Sequence, residues 1–523
     1  MIGTRLSSDI RPARLLGSKT IRVAQGFAGF QSPRDSWGEP YLTWNVLPRW
    51  CPLIDKKATP PFRSEATSMD IPHPIIGSYP VRTGNAVRPL VDGAPAFRRI
   101  GEVIDRARHS VWLTVAFYTP DFRMPDGRGS LFDVLDRAVA RGLDVRVIFW
   151  RPYPECPWVS KGSTFEGTPA DHDLLRTRGS TFRARWDRAH VHYLHHQKSW
   201  LIDAGQPSEV AFVGGINLTA RATGAPGHAE GHRHDAYVEV IGPAATDVHH
   251  NFVQRWNEAS ERTLDDGRRG HDAEDQLVFP TRLSDPRGKS VVQIQRNVHA
   301  GRYADGRASP GGAPYNIADG ERTIFDQYLL AIGAAKEAIY IENQAIPIPP
   351  VADAIEEALK RGVEVVILVL APPEPHVREA RWDPSRRLLF DRVGSLGQYE
   401  RFSLVGIAAM NGEDARRDIY VYGKLMLVDD EWATIGSCNL HSNSLSGHTE
   451  MNASIWDATV VRPLRCELLS EHLGQDTGYL DAREALQLYR VIAQQNRRKR
   501  EVGDPDWQGI AFSLDPAAYG NSR

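Results

Sequence analysis

Two separate stretches of the chain repeat the same order of apolar runs and amphipathic segments. Each is predicted to form a strand, a helix and a second strand, over residues 110–120, 131–142 and 143–150 and again over 338–347, 351–362 and 363–370. Both predicted helices end in Arg-Gly, and glycine suits the left-handed position that closes a helix. The Val/Ile/Leu runs that follow are typical of strands buried on both faces of a sheet. The duplication therefore predicts two α/β domains related by pseudo-symmetry.

Weakly patterned stretches mark the limits of these two domains. Segments rich in Pro, Gly and Ser, without a sustained period, precede and separate the repeats. The predicted division is an irregular N-terminal extension (1–83), a first half (84–262), a connecting segment with one short strand (263–322), a second half (323–475) and a partly helical C-terminal tail (476–523).

The charge balance disfavours a nucleic-acid-binding protein. The chain of 523 residues carries 63 basic and 65 acidic side chains, a formal net charge of −2. Such a balance exerts no overall attraction on a polyanion. A local basic run, RRKR at 497–500, is interpreted as the solvated end of a helix.

Cysteine spacing and hydropathy indicate a reducing compartment and no membrane-embedded segment. The four cysteines form no CxxC pair and predict neither a zinc site nor a disulfide framework; they are Cys51, Cys156, Cys438 and Cys466. The N-terminal segment lacks the apolar core of a signal peptide, and the longest apolar run, 363–371, is too short to span a bilayer. We therefore expect a cytoplasmic monomer whose contact with a membrane would be peripheral.

Candidate chemistry lies in the stretch DIYVYGKLMLVDD, residues 418–430. Its apolar residues predict a buried strand, yet Lys424 lies inside it, and a buried lysine requires an anionic partner or ligand. By the two-residue period of a strand, Tyr422 shares a face with Lys424. The pair therefore marks a candidate anion-binding element.

A matching arrangement occurs in the first half of the chain. The phrase HHQKSWLID places His196 two residues before Lys198. Asp203 follows Lys198 by five residues, which is the separation of Asp429 from the second-half lysine. A turn follows each motif, formed by Gly214, Gly215 and Asn217 in the first half and by Gly436, Ser437 and Asn439 in the second. Tyr422 therefore occupies the position that His196 holds in the first copy.

The spacing His-x-Lys-x4-Asp, followed by Gly-Gly/Ser-x-Asn, resembles the signature of the phospholipase D superfamily. The resemblance covers residues 84–475, and phrases such as LHHQKSWLID, AFVGGIN, YIENQ and VDDEWATIGSCNL are similar to the phospholipase-type branch, in which one chain carries both motifs. It implies an α/β fold of two pseudo-symmetric domains, each a mixed β-sheet flanked by helices. The active site is then expected at the interface between the halves, and the reaction without a metal or another cofactor.

The resemblance also implies a role for each motif residue. His196 is expected to attack phosphorus and form a phosphohistidine, while Asp235 holds the far nitrogen of this imidazole. Glu450 matches the same orienting role for position 422. The resemblance implies that donors from both halves neutralise the developing oxyanion, namely Lys198, Lys424, Asn217 and Asn439. Structural roles are implied for Asp203 and Asp429, at strand ends that hold the loop carrying the turn, and for the turn residues Gly214, Gly215, Gly436 and Ser437.

The second histidine of the family is replaced by Tyr422, and three interpretations stay open. Tyr422 is a candidate general acid and base, although an ordinary phenol pKa of ~10 suits protonation of an alkoxide better than deprotonation of water. Alternatively, His441 or His448 supplies the acid while Tyr422 binds phosphate. In the third interpretation the chain binds phosphodiesters without turnover, since loss of an acid–base group costs at least ~10²-fold in rate.

The segment HAEGHRHD, residues 228–235, is compatible with a different chemistry. Its His228, His232 and His234 are residues of a type that binds zinc. We interpret them as loop residues instead, because no cysteine joins them. No metal site is therefore predicted.

The expected function is that of a phospholipase D-type phosphodiesterase or transphosphatidylase acting on a glycerophospholipid-type phosphodiester. Hydrolysis and headgroup transfer share one intermediate and differ only in the acceptor, so the sequence leaves both open. The alternative is a catalytically impaired phosphodiester- or lipid-binding protein, while a nuclease or a small-molecule phosphodiesterase is less favoured. The expected partner is therefore a phospholipid or another phosphodiester rather than a nucleic acid.

Overall fold

A computed structural model describes most of the chain, namely residues 70–152, 164–190, 193–228, 231–259, 275–412 and 415–521. Most of the predicted N-terminal extension, residues 1–69, lies outside the described residues. So does the beginning of the predicted connecting segment, up to residue 274. The proposed domain boundaries stay a prediction.

The first half of the described chain forms one mixed sheet. Its strands are β1 (Arg82–Val91), β2 (Ser110–Val115), β3 (Asp144–Trp150), β4 (Arg183–Asp187), β5 (Lys198–Ile202), β6 (Val210–Gly214) and β7 (Ala236–Ile241). Their order across the sheet is β4-β3-β2-β5-β6-β7-β1. The strands β2, β3 and β4 are parallel neighbours, and the remaining pairs are antiparallel.

The second half repeats this sheet strand by strand. Its strands are β8 (Ser290–Val298), β9 (Glu321–Arg322), β10 (Ala338–Asn343), β11 (Glu364–Leu368), β12 (Phe402–Met410), β13 (Arg416–Asp418), β14 (Lys424–Val428), β15 (Trp432–Gly436), β16 (Glu450–Trp456) and β17 (Ala511–Leu514). The order β12-β11-β10-β14-β15-β16-β8 matches that of the first half, with the same parallel and antiparallel pairs. The sheets join where β1 pairs with β8, so the predicted duplication and α/β class are confirmed.

Helices cover these sheets. They are α1 (Gly93–Arg106), α2 (Leu131–Ala140), α3 (Pro169–Arg178), α4 (Ala245–Asn257), α5 (Thr323–Ala334), α6 (Pro349–Lys360), α7 (Pro375–Trp382), α8 (Arg387–Leu396), α9 (Ser442–Ser446), α10 (Ala458–Leu473) and α11 (Ala482–Glu501). The repeated helices α2 and α6 are followed by Gly142 and Gly362, with φ of 84° and 88°, as the Arg-Gly pattern predicted. No helix within the described residues has the length and apolarity needed to cross a bilayer.

The stretch at 418–430 differs from its prediction as one long strand. The strand β14 begins only at Lys424, and Tyr422 lies in extended chain before it. The backbone N–H of Tyr422 donates to the carbonyl of His234 at 2.7 Å, in the opposite half. The chain leaves the sheet here because its backbone partner belongs to the other half.

One hydrophobic core is shared by both halves. It combines inward-facing side chains of β6 and β7, such as Val213 and Val240, with those of β15 and β16, such as Ile435 and Ala453. All four side chains are almost fully buried. Burial of apolar surface between the sheets therefore holds the two motifs in a fixed relation.

Asp203 and Asp429 anchor the central strands of the two sheets. Asp203 Oδ1 accepts the backbone N–H groups of residues 108, 109 and 110, just where β2 begins. The Asp429 carboxylate accepts those of residues 336, 337 and 338 at the start of β10. Asp203 and Asp429 therefore have a structural role, as expected, but the backbone N–H groups they bind belong to the loop before the central strand and not to the loop that carries the turn.

Replacement of Asp203 by asparagine is expected to lower the free energy of unfolding by about 1 kcal/mol or more, because buried and part-buried N–H groups lose a charged acceptor, while asparagine tolerates the φ of 55° at this position. Asp476→Asn is the matched control, since this exposed carboxylate accepts one surface N–H, from Gly478. We expect the control to change stability by less than about 0.5 kcal/mol. Urea denaturation followed by circular dichroism measures both, and equal losses would contradict the anchoring role.

Candidate active site

His196 lies directly before β5 and is completely buried between the two halves. Its backbone N–H donates to the carbonyl of Thr449 at 2.9 Å, which fixes this segment against the second half. On the imidazole, Nδ1 lies 3.0 Å from Glu450 Oε2 and 3.0 Å from the carbonyl oxygen of Ser437. Nε2 is buried and has no hydrogen-bond partner among the described residues. Two acceptors at Nδ1 place the proton there and leave the lone pair on Nε2.

The surroundings also keep this imidazole uncharged. Burial lowers the pKa of His196 well below its usual value, and the charges of Lys198 and Lys424 lower it further. The Ser437 carbonyl opposes this effect but does not outweigh it. A neutral imidazole has a free lone pair for attack on phosphorus, which an imidazolium lacks. His196 therefore has the protonation state that a nucleophile requires.

Glu450 is held in place by two serine hydroxyls. Ser437 Oγ donates to Glu450 Oε2 at 2.5 Å, and Ser444 Oγ donates to Oε1 at 2.7 Å. Burial raises the pKa of Glu450 to about 7, although Lys198 and the two serines act in the opposite direction. Sequence analysis did not identify Ser444, for which the only signal is the serine-rich phrase SNSLSG that follows Asn439.

The expected pairing of Asp235 with His196 is wrong. Glu450, which was expected to orient position 422, contacts His196 instead. Asp235 lies beside Gly215, where a Cβ would come within 2.3 Å of its Oδ1, and its charge acts on Lys424. Burial raises the pKa of Asp235 to about 7, against the effect of this lysine. Glu450 therefore has the partner that chain order suggested for Asp235.

Short backbone pairings across the interface explain why Glu450 reaches His196. His195 forms an isolated parallel bridge with Thr449, and His234 forms one with Val421. Each motif thus runs alongside the segment that precedes the acid of the other half. Separation along the chain could not show this, because it takes no account of how the halves face each other.

Tyr422 occupies the pseudo-symmetric place of His196. Its hydroxyl accepts a hydrogen bond from Asn217 Nδ2 at 3.0 Å, so a side chain of the first half contacts the second-half motif. The ammonium nitrogen of Lys424 lies 3.5 Å from the centre of the tyrosine ring, a cation–π contact. The phenol is thereby positioned from both halves.

Two lysines and two asparagines supply hydrogen-bond donors to this interface. The Nζ of Lys198 donates to the carbonyl of His196 at 2.8 Å, and Lys424 donates to that of Tyr422. Burial lowers the pKa of Lys198 well below its usual value and that of Lys424 to about 8. Both amide atoms of Asn439, and Oδ1 of Asn217, are buried without a hydrogen-bond partner among the described residues. The two ammonium groups and the unpaired Nδ2 of Asn439 fit an anionic ligand, which would also favour the charged lysines.

The first glycine of each turn allows close packing against the neighbouring strand. A Cβ at Gly436 would lie 2.1 Å from Asn452 Oδ1, and one at Gly214 would lie 2.4 Å from the carbonyl of Ala236. The second-half turn carries Ser437 where the first half has Gly215. Only the second half can therefore offer a hydroxyl to its acid from this position.

Two further histidines lie near His196. The ring centre of His448 is 6.4 Å from that of His196, and its Nδ1 accepts the N–H of Leu194 at 3.1 Å. Both ring nitrogens of His441 face Ser444, and Nδ1 accepts its backbone N–H at 3.2 Å. Both histidines therefore stay candidates for a proton-transfer role. Within the described residues, the groups spaced to share a metal ion lie around His234 instead.

Comparison with known protein families places both halves in one family. The family model described as "Cardiolipin synthase, PLD-like domain" matches residues 100–256 and 328–471, more than half of the chain. A model described as "Phospholipase D" matches residues 227–346. The first model thus matches a segment in each pseudo-symmetric half.

Curated relatives carry related names. Phospholipase D A of Dictyostelium discoideum is 26% identical over 77% of this chain and 36% of its own length. Phospholipase D alpha 1 of Arabidopsis thaliana is 24% identical over 66% of this chain and 58% of its own length. Cardiolipin synthase 1 of Staphylococcus epidermidis is 24% identical over 73% of this chain and 66% of its own length. The chain therefore spans from about a third to about two thirds of these relatives.

A solved structure supports the fold. Phosphatidylserine synthase of Haemophilus influenzae superposes with a TM-score of 0.50 at 13% sequence identity. The match covers 80% of this chain and 95% of that protein. The two proteins therefore share the two-domain architecture, although their sequence identity alone is too low to show it.

The donor arrangement predicts that a tetrahedral oxyanion binds at this interface. Asn439→Ala is expected to weaken tungstate binding about tenfold or more, the effect of losing one hydrogen bond to a charged ligand. Asn316→Ala is the control, since that exposed amide donates only to Asp319 among the described contacts. Isothermal titration calorimetry measures both affinities. Equal tungstate affinity in Asn439→Ala and the unchanged protein would refute the assignment.

Proposed function

The chain belongs to the phospholipase D superfamily, and on that premise we propose that it cleaves or transfers the phosphatidyl group of a glycerophospholipid through a phosphohistidine at His196. The observation that supports this most directly is the buried Nε2 of His196, which has no hydrogen-bond partner in the described part of the chain while Nδ1 faces Glu450. An imidazole arranged in this way resembles a nucleophile oriented by a carboxylate. Neither a metal ion nor an organic cofactor takes part in the proposed reaction.

In the first step, the Nε2 lone pair attacks phosphorus and forms a P–N bond. The bond between phosphorus and the headgroup oxygen breaks, and the leaving alkoxide takes the phenolic proton of Tyr422. The imidazole becomes cationic, and the Glu450 carboxylate 3.0 Å from Nδ1 stabilises that charge. The products of this step are the free headgroup alcohol and the phosphohistidine.

In the second step, water or an acceptor alcohol attacks the phosphorus of the intermediate. The Tyr422 phenolate accepts the proton of the attacking hydroxyl, and the P–N bond breaks to regenerate neutral His196. Water gives hydrolysis and an alcohol gives transfer, so one site performs both reactions. Lys424, whose ammonium lies over the tyrosine ring, favours the phenolate electrostatically.

Buried donors stabilise the negative charge that develops on the phosphoryl oxygens. Lys198 and Lys424 contribute charge, and Asn217 and Asn439 contribute amide N–H groups from opposite halves. In a buried site these interactions are stronger than in water and require little reorganisation. The substrate class is proposed from the relatives, which are named phospholipase D and cardiolipin synthase.

The proposal is tested with phosphatidylcholine in the presence of ethanol. We expect released choline, phosphatidic acid and phosphatidylethanol, together with acid-labile phosphate on His196 after rapid quenching. Loss of both products and of the adduct in His196→Ala would agree with the mechanism. If the unchanged protein forms neither product nor adduct from any phosphodiester offered, the chain is a binding protein and the proposal fails.

Tyr422→Phe separates the roles of the phenol. With a choline leaving group we expect the rate to fall at least ~10²-fold, because the alkoxide then leaves unprotonated. With a 4-nitrophenyl ester, whose leaving group needs no proton, adduct formation is expected to persist and the phosphohistidine to accumulate. Quench-flow measurement of adduct and alcohol release distinguishes the two steps.

Tyr420→Phe is the matched control for this experiment. Tyr420 stacks on Tyr422 with ring centres 6.0 Å apart, and its hydroxyl donates to Glu374 instead. We expect turnover of the control to stay within about threefold of the unchanged protein. Unchanged choline release in Tyr422→Phe would exclude the phenol as the acid, and the same assay on His441→Ala and His448→Ala would then identify the group responsible.

The pKa values predict a bell-shaped dependence of kcat/KM on pH. Burial raises the pKa of Glu450 to about 7, so below that pH the protonated acid no longer stabilises the His196 cation. Burial lowers the pKa of Lys424 to about 8, so above that pH its charge is lost. We therefore expect kcat/KM to be highest between these values and to fall on both sides. Glu450→Gln should remove the acidic limb, and an unaltered acidic limb in this variant would contradict the assignment.

A further inference from the structure

A buried arginine lies on the Tyr422 side of the interface, and the proposed reaction does not use it. Arg233 comes two residues before Asp235 in the chain and is almost fully buried. Sequence analysis did not identify it, since no spacing along the chain connects it to the motif of the other half. Because a guanidinium stays protonated across the working pH range of proteins, Arg233 places a fixed positive charge inside the interface.

The backbone pairing between the halves directs this arginine toward two tyrosines. An isolated parallel bridge joins His234 to Val421. The N–H of His234 donates to the carbonyl of Tyr420 at 3.0 Å, and the N–H of Tyr422 donates to the carbonyl of His234 at 2.7 Å. Side chains alternate between the two faces of an extended segment, so the residues next to the bridged pair share one face. Arg233 therefore lies on the same face as Tyr420 and Tyr422.

The guanidinium lies over both tyrosine rings. Arg233 Cζ is 4.9 Å from the centre of the Tyr420 ring and 5.3 Å from that of the Tyr422 ring. The two rings are stacked, with centres 6.0 Å apart and an interplanar angle of 28°. The ammonium nitrogen of Lys424 lies 3.5 Å from the centre of the Tyr422 ring. The phenol of Tyr422 thus has two cations within cation–π distance, one from each half.

The charge of Arg233 also acts on the ionisable groups next to Tyr422. Burial and Glu374 raise the pKa of Tyr420 well above its usual value, and the charge of Arg233 acts in the opposite direction. Burial lowers the pKa of Lys424 to about 8 against the effect of Asp235, and the charge of Arg233 contributes to this lowering. The guanidinium therefore influences side chains on both sides of Tyr422 in the chain.

A phenol that transfers protons from a buried position requires such a charge. Tyr422 is almost fully buried, and burial disfavours a phenolate. A positive charge within about 4–6 Å favours the anionic form. Lys424 supplies one, but its ammonium loses the proton above about pH 8. Arg233 keeps its charge at that pH, so the two cations are not equivalent.

We propose that Arg233 is a positioning residue that holds the Tyr422 ring and stabilises its phenolate between the two steps of the reaction. In the first step the phenolic proton passes to the headgroup alkoxide and leaves a phenolate. In the second step the phenolate takes the proton of water or of the acceptor alcohol, and the neutral phenol returns. The guanidinium offsets the negative charge of the phenol while the phosphohistidine exists. This inference rests on the proposed function, because it concerns the group that replaces the second histidine.

Titration of the Tyr422 phenol tests the electrostatic role of Arg233 without the need for turnover. Protein labelled with carbon-13 at the tyrosine Cζ atoms gives the titration midpoint by nuclear magnetic resonance, and Tyr422→Phe assigns the signal. Arg233→Gln is expected to raise the midpoint by at least about one pH unit, the effect of losing one nearby opposite charge. Arg233→Met keeps an apolar side chain over the rings, and it carries the test if Arg233→Gln fails to fold by circular dichroism.

Arg307→Gln is the matched control. Its exposed guanidinium also lies over an aromatic ring, 4.5 Å from the centre of Phe279, and the proposed reaction uses neither residue. The control should leave the midpoint of Tyr422 unchanged. An unchanged midpoint in the folded Arg233 variants would overturn the inference.

Leaving-group dependence provides a second measurement. Arg233→Gln is expected to slow choline release from phosphatidylcholine about fivefold or more, because a weaker acid protonates the alkoxide less readily. Adduct formation from the 4-nitrophenyl ester should stay within about twofold, since that leaving group needs no proton. Arg233→Lys keeps the charge and should restore most of the choline release.

The two measurements separate this inference from the proposed function. Equal slowing of both substrates would assign Arg233 to folding alone and overturn the inference, while the phosphohistidine mechanism would stand. Absence of turnover in the unchanged protein would contradict the proposed function instead. A raised midpoint in Arg233→Gln would then still support stabilisation of the Tyr422 phenolate by this arginine.

Discussion

Two backbone hydrogen bonds that cross between the halves set the geometry of the whole site. The N–H of His196 donates to Thr449, and that of Tyr422 donates to His234, at 2.9 and 2.7 Å. Each bond places the first residue of one motif beside the acid-bearing segment of the opposite half. Neither half alone can therefore orient its own motif, and the shared hydrophobic core is what keeps the two halves in register.

Burial of charge without full compensation is the second constraint on this interface. The two motif lysines and the acids Asp235 and Glu450 are all almost completely buried, and burial shifts the pKa of each toward its uncharged form. An anionic phosphodiester would restore the charged lysines and align the open amide groups. Burial disfavours the charged forms of these groups in the free protein. The same burial strengthens their electrostatic interaction with a bound substrate.

The two halves have the same architecture but different chemistry. In the second half, Ser437 and Ser444 hold Glu450 against an imidazole. In the first half, Gly215 stands at the position of Ser437 and offers no hydroxyl to Asp235. The second-half motif carries the phenol of Tyr422 where the first-half motif carries an imidazole. The two sides of the interface thus present different groups, a neutral imidazole with an unpaired Nε2 among the described residues on one side and a phenol on the other.

Much of the fold could be predicted from the sequence because it depends on the local pattern of apolar and polar residues. Apolar runs, amphipathic segments and the closing Gly142 and Gly362 act over a few residues, so a duplicated pattern predicts a duplicated sheet. The motif spacing likewise located the candidate site residues and marked Tyr422 as the departure. The predicted bounds of the strands were less accurate. Tyr422 was predicted to lie in the strand that contains Lys424, but β14 begins at Lys424, and the backbone partner of Tyr422 lies in the other half.

Only the tertiary structure decided which acid serves which motif. Asp235 and Glu450 each follow the motif of their own half in the chain, yet Glu450 contacts His196 of the other half, because bridges such as His195 to Thr449 connect residues far apart in sequence. Interactions over a few residues determine the helices and strands, so the sequence alone predicted these elements and the candidate site residues. Packing of the two halves against each other determined which of those side chains are in contact.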